Sequence, residues 1–253
     1  MILKTITDWL FDTGEEFKPA WENIVRNNVP AFSGLTNDEK AKLRQLVSRF
    51  IKKKNIEGCA GLEITDEIRV TIAAYACLLI LHQNGPIYPD LDTVLVYPQS
   101  YFAEVKERDE IGVITEGYEE RFGESSPLGV VVLAWDDIKL SAGDTRHKVV
   151  YHEFAHQLDI ADYWKADGSV RLPGKARYAA WARVLGSEFR RLQRDADNDR
   201  ETVLDKYGAE DPAEFFAVAT EAFFTQPALL REKHPELYKE LSLYYKQDPA
   251  SRR

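Results

Sequence analysis

Hydrophobic and polar positions follow two rhythms along this chain. Residues 17–85 carry helical patterning. Thr36-Asn37-Asp38-Glu39 forms a capping-box signature ahead of a run from Lys40 to Lys54, because an N-cap Thr and a Glu three residues on can satisfy each other's backbone donors. Asp66 to Gln83 predicts a second, more apolar helix. From Ile87 to Ile138 the rhythm shortens. Thr93-Val94-Leu95-Val96-Tyr97 and Gly129-Val130-Val131-Val132-Leu133-Ala134-Trp135 are β-branched runs bounded by Pro and Gly, the pattern of strands. They predict a small sheet just before a helix around residue 150, with Asp144 or Thr145 as its candidate N-cap. The strand from Gly129 to Trp135 reads either as an edge that could pair with a peptide backbone or as an interior strand. Further on, residues 160–175 predict a loop, Ala176 to Asp195 a long amphipathic helix, and Pro212 to Thr225 another helix. Pro227 and Pro235 punctuate the C-terminal helices, and residues 250–253 predict a frayed tail. The whole pattern predicts an α+β fold, mainly helical, with an N-terminal helical region over 1–85 and the sheet and later helices in 86–253. No internal repeat or low-complexity linker is visible.

One helix breaks its own pattern. Val149, Val150 and Phe154 are apolar, and His152, Glu153 and His156 interrupt them. A buried helix gains nothing in folding from that trio. On a helix, positions four apart share a face, so His152 and His156 can reach one metal ion. Glu153 follows the first His, where it can act as base on a water that the metal polarises. His-Glu-x-x-His on a helix is the arrangement of a zinc peptidase, with two imidazole ligands, a carboxylate base and an open coordination position. The alternative is a surface helix with two ordinary histidines.

The third protein ligand has two candidates. Asp162 lies six residues past His156, a spacing used where the helix breaks at a Gly and the chain swings back to the metal. Here the breaking position is Asp159, and Gly is the residue that permits the left-handed turn at low cost. Asp159, one turn beyond His156, reads as a hydrogen-bond acceptor behind the ligands or as a helix-end residue. Glu214 is the second candidate. Asp211 is an N-cap, Pro212 occupies the first helical position and Glu214 the third, so Glu214 is either a metal ligand on a second helix or a capping-box carboxylate. Glu221, two turns further on the same face, could orient a ligand His from behind.

Composition narrows the field. The chain has 253 residues, 44% hydrophobic and 30% charged, which suits one globular domain or a helical lobe fused to a catalytic core. A net charge of −9 without a basic stripe argues against direct nucleic-acid binding. Lys52-Lys53-Lys54 reads as a solvated helix end, where cations complement the dipole. The two cysteines, Cys59 and Cys77, fall in no metal spacing. The start of the chain lacks a cleavable apolar core, and the longest apolar stretch, Ile72 to Leu81, is about half a membrane span. These features point to a cytoplasmic protein with free thiols. His82, His147 and His234 receive no catalytic role.

The motif residues carry a resemblance. His152-Glu153-Phe154-Ala155-His156-Gln157-Leu158-Asp159, followed by Tyr207-Gly208 and Ala213-Glu214-Phe215-Phe216-Ala217, resembles the Mlc titration factor A family over nearly the whole chain. Across the two motif helices alone it is also similar to the catalytic domain of anthrax lethal factor. The resemblance implies a zincin-like core and a zinc-dependent, aminopeptidase-like activity on peptides. It implies one zinc held by His152, His156 and Glu214, with Glu153 as general base and Tyr207 assisting the transition state. It further implies binding of the glucose-responsive transcriptional repressor Mlc, and so modulation of glucose phosphotransferase gene regulation. The chain departs from lethal factor at Val218, where that protein has a second Glu four residues after its ligand Glu. Glu221 is the candidate substitute. The rival function is a non-catalytic protein that sequesters the repressor and carries a vestigial zinc site. A purely structural zinc site is a third reading, and it lacks the closed, Cys-rich donor set such sites use.

Overall fold

The computed structural model of the protein describes residues 17–108, 114–121, 123–126, 128–140, 149–160, 167–168 and 170–252. Helix α1 (Pro19–Asn28) opens on its Pro and buries Trp21 and Val25. Helix α2 (Asn37–Lys53) begins at the capping box. The Thr36 hydroxyl accepts the Glu39 N–H at 3.2 Å, and the Glu39 carboxylate accepts the Thr36 N–H at 2.8 Å. Just past α2, the Lys54 ammonium donates to the carbonyls of Tyr88, at 2.7 Å, and Leu91. The lysine run is therefore not wholly solvated, because its last member turns inward to hold the loop before the second strand. Strand β1 (Asn55–Gly58) follows. Helix α3 (Asp66–Leu79) is buried from Val70 through Leu79, which explains its nearly continuous apolar sequence.

The remaining strands are β2 (Thr93–Tyr97), β3 (Tyr101–Arg108), β4 (Ile114–Arg121), β5 (Gly123–Ser126) and β6 (Val130–Ala134). The main sheet has the order β1-β2-β6-β5, and β3 and β4 form a separate antiparallel ribbon. β1, β2 and β6 run parallel, with Asn55 opposite Thr93 and Thr93 opposite Val130. α3 supplies the crossover that a parallel β1–β2 pair requires. β5 runs antiparallel to β6, with Gly123 opposite Leu133. β6 therefore lies inside the sheet, and the edge reading of Gly129 to Trp135 gives way to the interior one. The edges belong to β1 and β5.

Helices α4 (Trp135–Leu140), α5 (Val149–Ile160), α6 (Lys175–Asp197), α7 (Pro212–Thr225), α8 (Pro227–Lys233) and α9 (Pro235–Tyr245) complete the order. α5 packs across β5 and β6 and against α3 and α7. Its candidate caps, Asp144 and Thr145, lie outside the described residues. The chain end is tied down rather than frayed as far as Arg252. A 3-10 turn spans Pro249–Ser251, Ala250 N–H donates to the Tyr238 hydroxyl at 3.0 Å, and Arg252 reaches Glu39 at 3.0 Å and Gln247 at 2.9 Å. The architecture is mainly helical α+β with a small sheet, and one hydrophobic core runs from α1 through α3, α5 and α7 to α9. Both cysteines are free thiols. No described helix is long and apolar enough to cross a membrane.

Candidate metal centre

Packing on one face of α5 sets what the other face presents. Tyr151, Phe154 and Ala155 are buried. Phe154 meets Tyr88 at 5.0 Å and Phe50 at 5.7 Å between ring centroids, and Tyr151 meets Tyr75 at 5.1 Å. Tyr151 also stacks on Phe224 of α7 at 5.0 Å, which fixes the two helices against each other. The rotation that buries these rings leaves His152 and His156 facing the first turn of α7.

That turn is held open by its cap. Asp211 accepts the N–H groups of Ala213, at 2.7 Å, and Glu214, at 2.9 Å. The Glu214 side chain reaches across to α5. Its Oε2 lies 2.9 Å from His152 Nε2, and its Oε1 lies 3.5 Å from His156 Nε2. The two Nε2 atoms are 3.2 Å apart. One donor atom each from His152, His156 and Glu214 falls within 4.8 Å of the others. Glu221 takes the far side of the same imidazole, with Oε1 at 2.7 Å from His152 Nδ1. Burial opposes a charge on His152, but the hydrogen bonds to Glu214 and Glu221 outweigh it and push its pKa well above the usual range. On Glu214 burial is likewise outweighed, by His152 and His156, and its carboxyl falls to about 2.

Glu153 is 5% exposed and lies against the edge strand. A Cβ on Gly123 would sit 2.4 Å from Glu153 Oε1, so a side chain at the start of β5 would displace the Glu153 carboxylate. Beside it, Gln157 donates to Ser125 Oγ at 2.7 Å, which seats α5 on β5. Burial pushes the Glu153 carboxyl up to about 7, against the opposing pull of His152 and His156.

Tyr207 stands in the 3-10 turn Lys206–Ala209, 46% exposed, with its ring 5.9 Å from that of His152. Asp159 is fully buried and accepts the Gly168 N–H at 2.7 Å. Burial raises its carboxyl to about 7. Asp162 and His147 lie outside the described residues. The remaining histidines are engaged away from the cluster, His82 with Glu39 at 3.0 Å and His234 with Glu188 at 2.7 Å.

Two imidazole nitrogens and a carboxylate oxygen form a donor set for a borderline-soft divalent metal. Over residues 8–246 the sequence matches the glucose-regulated metallo-peptidase M90 family. The chain belongs to that family. An uncharacterized protein of Synechocystis is 37% identical over 234 residues, covering 91% of this chain and 85% of its own length. Mlc titration factor A of Klebsiella pneumoniae is 32% identical, with 92% of this chain and 88% of that protein covered. Mlc titration factor A of Pectobacterium atrosepticum is 33% identical, with coverages of 92% and 87%. Membership of the M90 family makes the protein a metallopeptidase by lineage and implies a metal. His152, His156 and Glu214 are the one group among the described residues whose donor atoms could hold it.

Proposed function

We propose that the protein is a zinc-dependent peptidase with a zincin-like core. The observation that carries this reading is the convergence of His152, His156 and Glu214 beside a buried Glu153. When bound, zinc supplies a Lewis acid that polarises a carbonyl and brings the pKa of a water to about 7. The chain's own groups do the rest. Glu153 takes a proton from the attacking water and gives it to the leaving amine, a task suited to a carboxyl raised to about 7. Glu221 holds His152 in orientation through Nδ1. The Tyr207 hydroxyl donates to the developing oxyanion. β5 pairs with β6 on one side, and its other edge can take an extended peptide backbone as an added strand. In this reading residues 86–253 carry the chemistry, and 1–85 supply helical support together with the sheet strand β1.

Glu153→Gln should keep the metal and lose hydrolysis by roughly 10²–10⁴-fold. Peptides with free and blocked amino termini separate aminopeptidase from endopeptidase action. Wild-type rates in the variant would remove the general-base assignment.

A second role is favoured by the relatives named Mlc titration factor A. We propose that this chain also binds an Mlc-type repressor in the cytoplasm, through a surface that does not need catalysis. Glu153→Gln should then retain the repressor in a pull-down. A folded, zinc-loaded variant that loses the repressor would make the repressor a substrate instead. Repressor binding without any peptidase activity in the wild type would favour a sequestering protein with a vestigial site.

A further inference from the structure

His156 and Asp159 each carry a buried polar atom that has no hydrogen-bond partner among the described residues, Nδ1 on the imidazole and Oδ1 on the carboxylate. The residues are three apart on α5 and so share a face. The two orphans are complementary. An imidazole that offers Nε2 to a metal must carry its proton on Nδ1, and that N–H needs an acceptor. An ionised carboxylate oxygen in a buried site needs a donor. His152 has its outer partner in Glu221. Among the described residues His156 has none unless Asp159 supplies it.

The other oxygen of Asp159 is already engaged. Oδ2 accepts the Gly168 N–H at 2.7 Å, and Gly168 in turn accepts Trp181 Nε1–H on its carbonyl at 3.1 Å. Gly168 has φ +78°, and a Cβ there would lie 2.6 Å from the carbonyl of Pro212. It is thus pressed against the first residue of α7, two positions before Glu214. One buried carboxylate therefore stands between a ligand on α5 and the start of the helix that carries another.

We propose that Asp159 is the positioning residue for His156, with Oδ1 taking the Nδ1–H of the imidazole through one buried water, and Oδ2 anchoring Gly168 against the helix of Glu214. The assignment rests on the zinc reading above. It makes the geometry of His156 and of Glu214 depend on a single side chain that touches neither substrate nor metal.

Asp159→Asn is the discriminating variant. Its amide oxygen can still accept the Gly168 N–H, so the metal-free fold should melt as the wild type does. Its NH2 replaces the acceptor facing His156 and favours the tautomer protonated on Nε2, the wrong one for a ligand. Zinc affinity, measured by competition with a chromophoric chelator, should fall by roughly 10–100-fold, as it should in Asp159→Ala. Wild-type zinc affinity in folded Asp159→Asn overturns the proposal. Wild-type protein that takes up no zinc fails the zinc reading instead. In that case, or if the variants do not fold, the imidazole nitrogen chemical shifts of metal-free wild type in alkaline buffer decide. A proton on His156 Nδ1 supports the assignment, and one on Nε2 overturns it.

Discussion

Glu214 and Glu221 stand two turns apart on α7 and clasp opposite nitrogens of His152. Val218 between them is buried and packs toward Gly208, where an added Cβ would meet it at 3.1 Å. The position four residues after Glu214 thus serves the seat of the 3-10 turn, and the carboxylate behind the imidazole comes from one turn further on. That same turn presents Tyr207 next to His152. With the proposed role as oxyanion donor, Tyr207→Phe should lower turnover by roughly 10²–10³-fold while metal content stays constant. Side-by-side kcat and metal analysis check this, and unchanged turnover would make Tyr207 a structural residue. The His pair was legible because a helix turns fixed spacing into a shared face. Glu214 was half-legible, since the Asp211-Pro212 start serves a ligand and a cap equally well. The choice depends on where the side chain goes, and the carboxylate crosses to His152 on α5.

Helix α5 is aimed by its aromatic face. Phe154 is fully buried between Phe50 and Tyr88. Phe154→Ala should destabilise the protein by about 3–5 kcal/mol, the usual cost of emptying such a site. Denaturant unfolding measures it, and a loss under about 1 kcal/mol would contradict the packing described here. α2 and α7 announce themselves through a capping box and a leading proline, and α7 begins and ends where its sequence implies, whereas the sequence pattern misses α4 and reads its first residue, Trp135, as the end of a strand. The strands divided by composition. β2 and β6 are β-branched, alternate in burial and were readable. β1, Asn-Ile-Glu-Gly, and β5, Gly-Glu-Ser-Ser, contain one apolar residue between them and were not. Their order comes from ladder hydrogen bonds to β2 and β6, a tertiary effect that local propensity does not encode. β5 nevertheless covers Glu153, so the least legible strand borders the most legible motif.

Across the whole molecule, the start of α2 and the end of the described chain meet at Glu39. Its carboxylate joins the Thr36 cap, His82 and Arg252. Burial would raise its pKa, but these partners outweigh burial and hold it at about 2, below the ordinary 4.5. A depressed carboxyl stabilises the fold above its unfolded pKa, and that contribution is lost as pH falls from about 5 toward about 2. Solvent screening of this partly exposed cluster reduces it to about 1 kcal/mol. Glu39→Gln, which can keep the capping box, should flatten the fall of unfolding free energy with acid, and equal acid slopes in variant and wild type would contradict the linkage. The metal centre depends on a longer-range closure, between α5 and a helix some sixty residues later, and its most direct test is metal content. Purified wild type, Glu214→Ala and Asp162→Ala should be assayed together by elemental analysis. One zinc per chain is expected in wild type and Asp162→Ala, with little or none in Glu214→Ala. Zinc retained by Glu214→Ala and lost by Asp162→Ala would contradict the assignment of Glu214 as the third ligand.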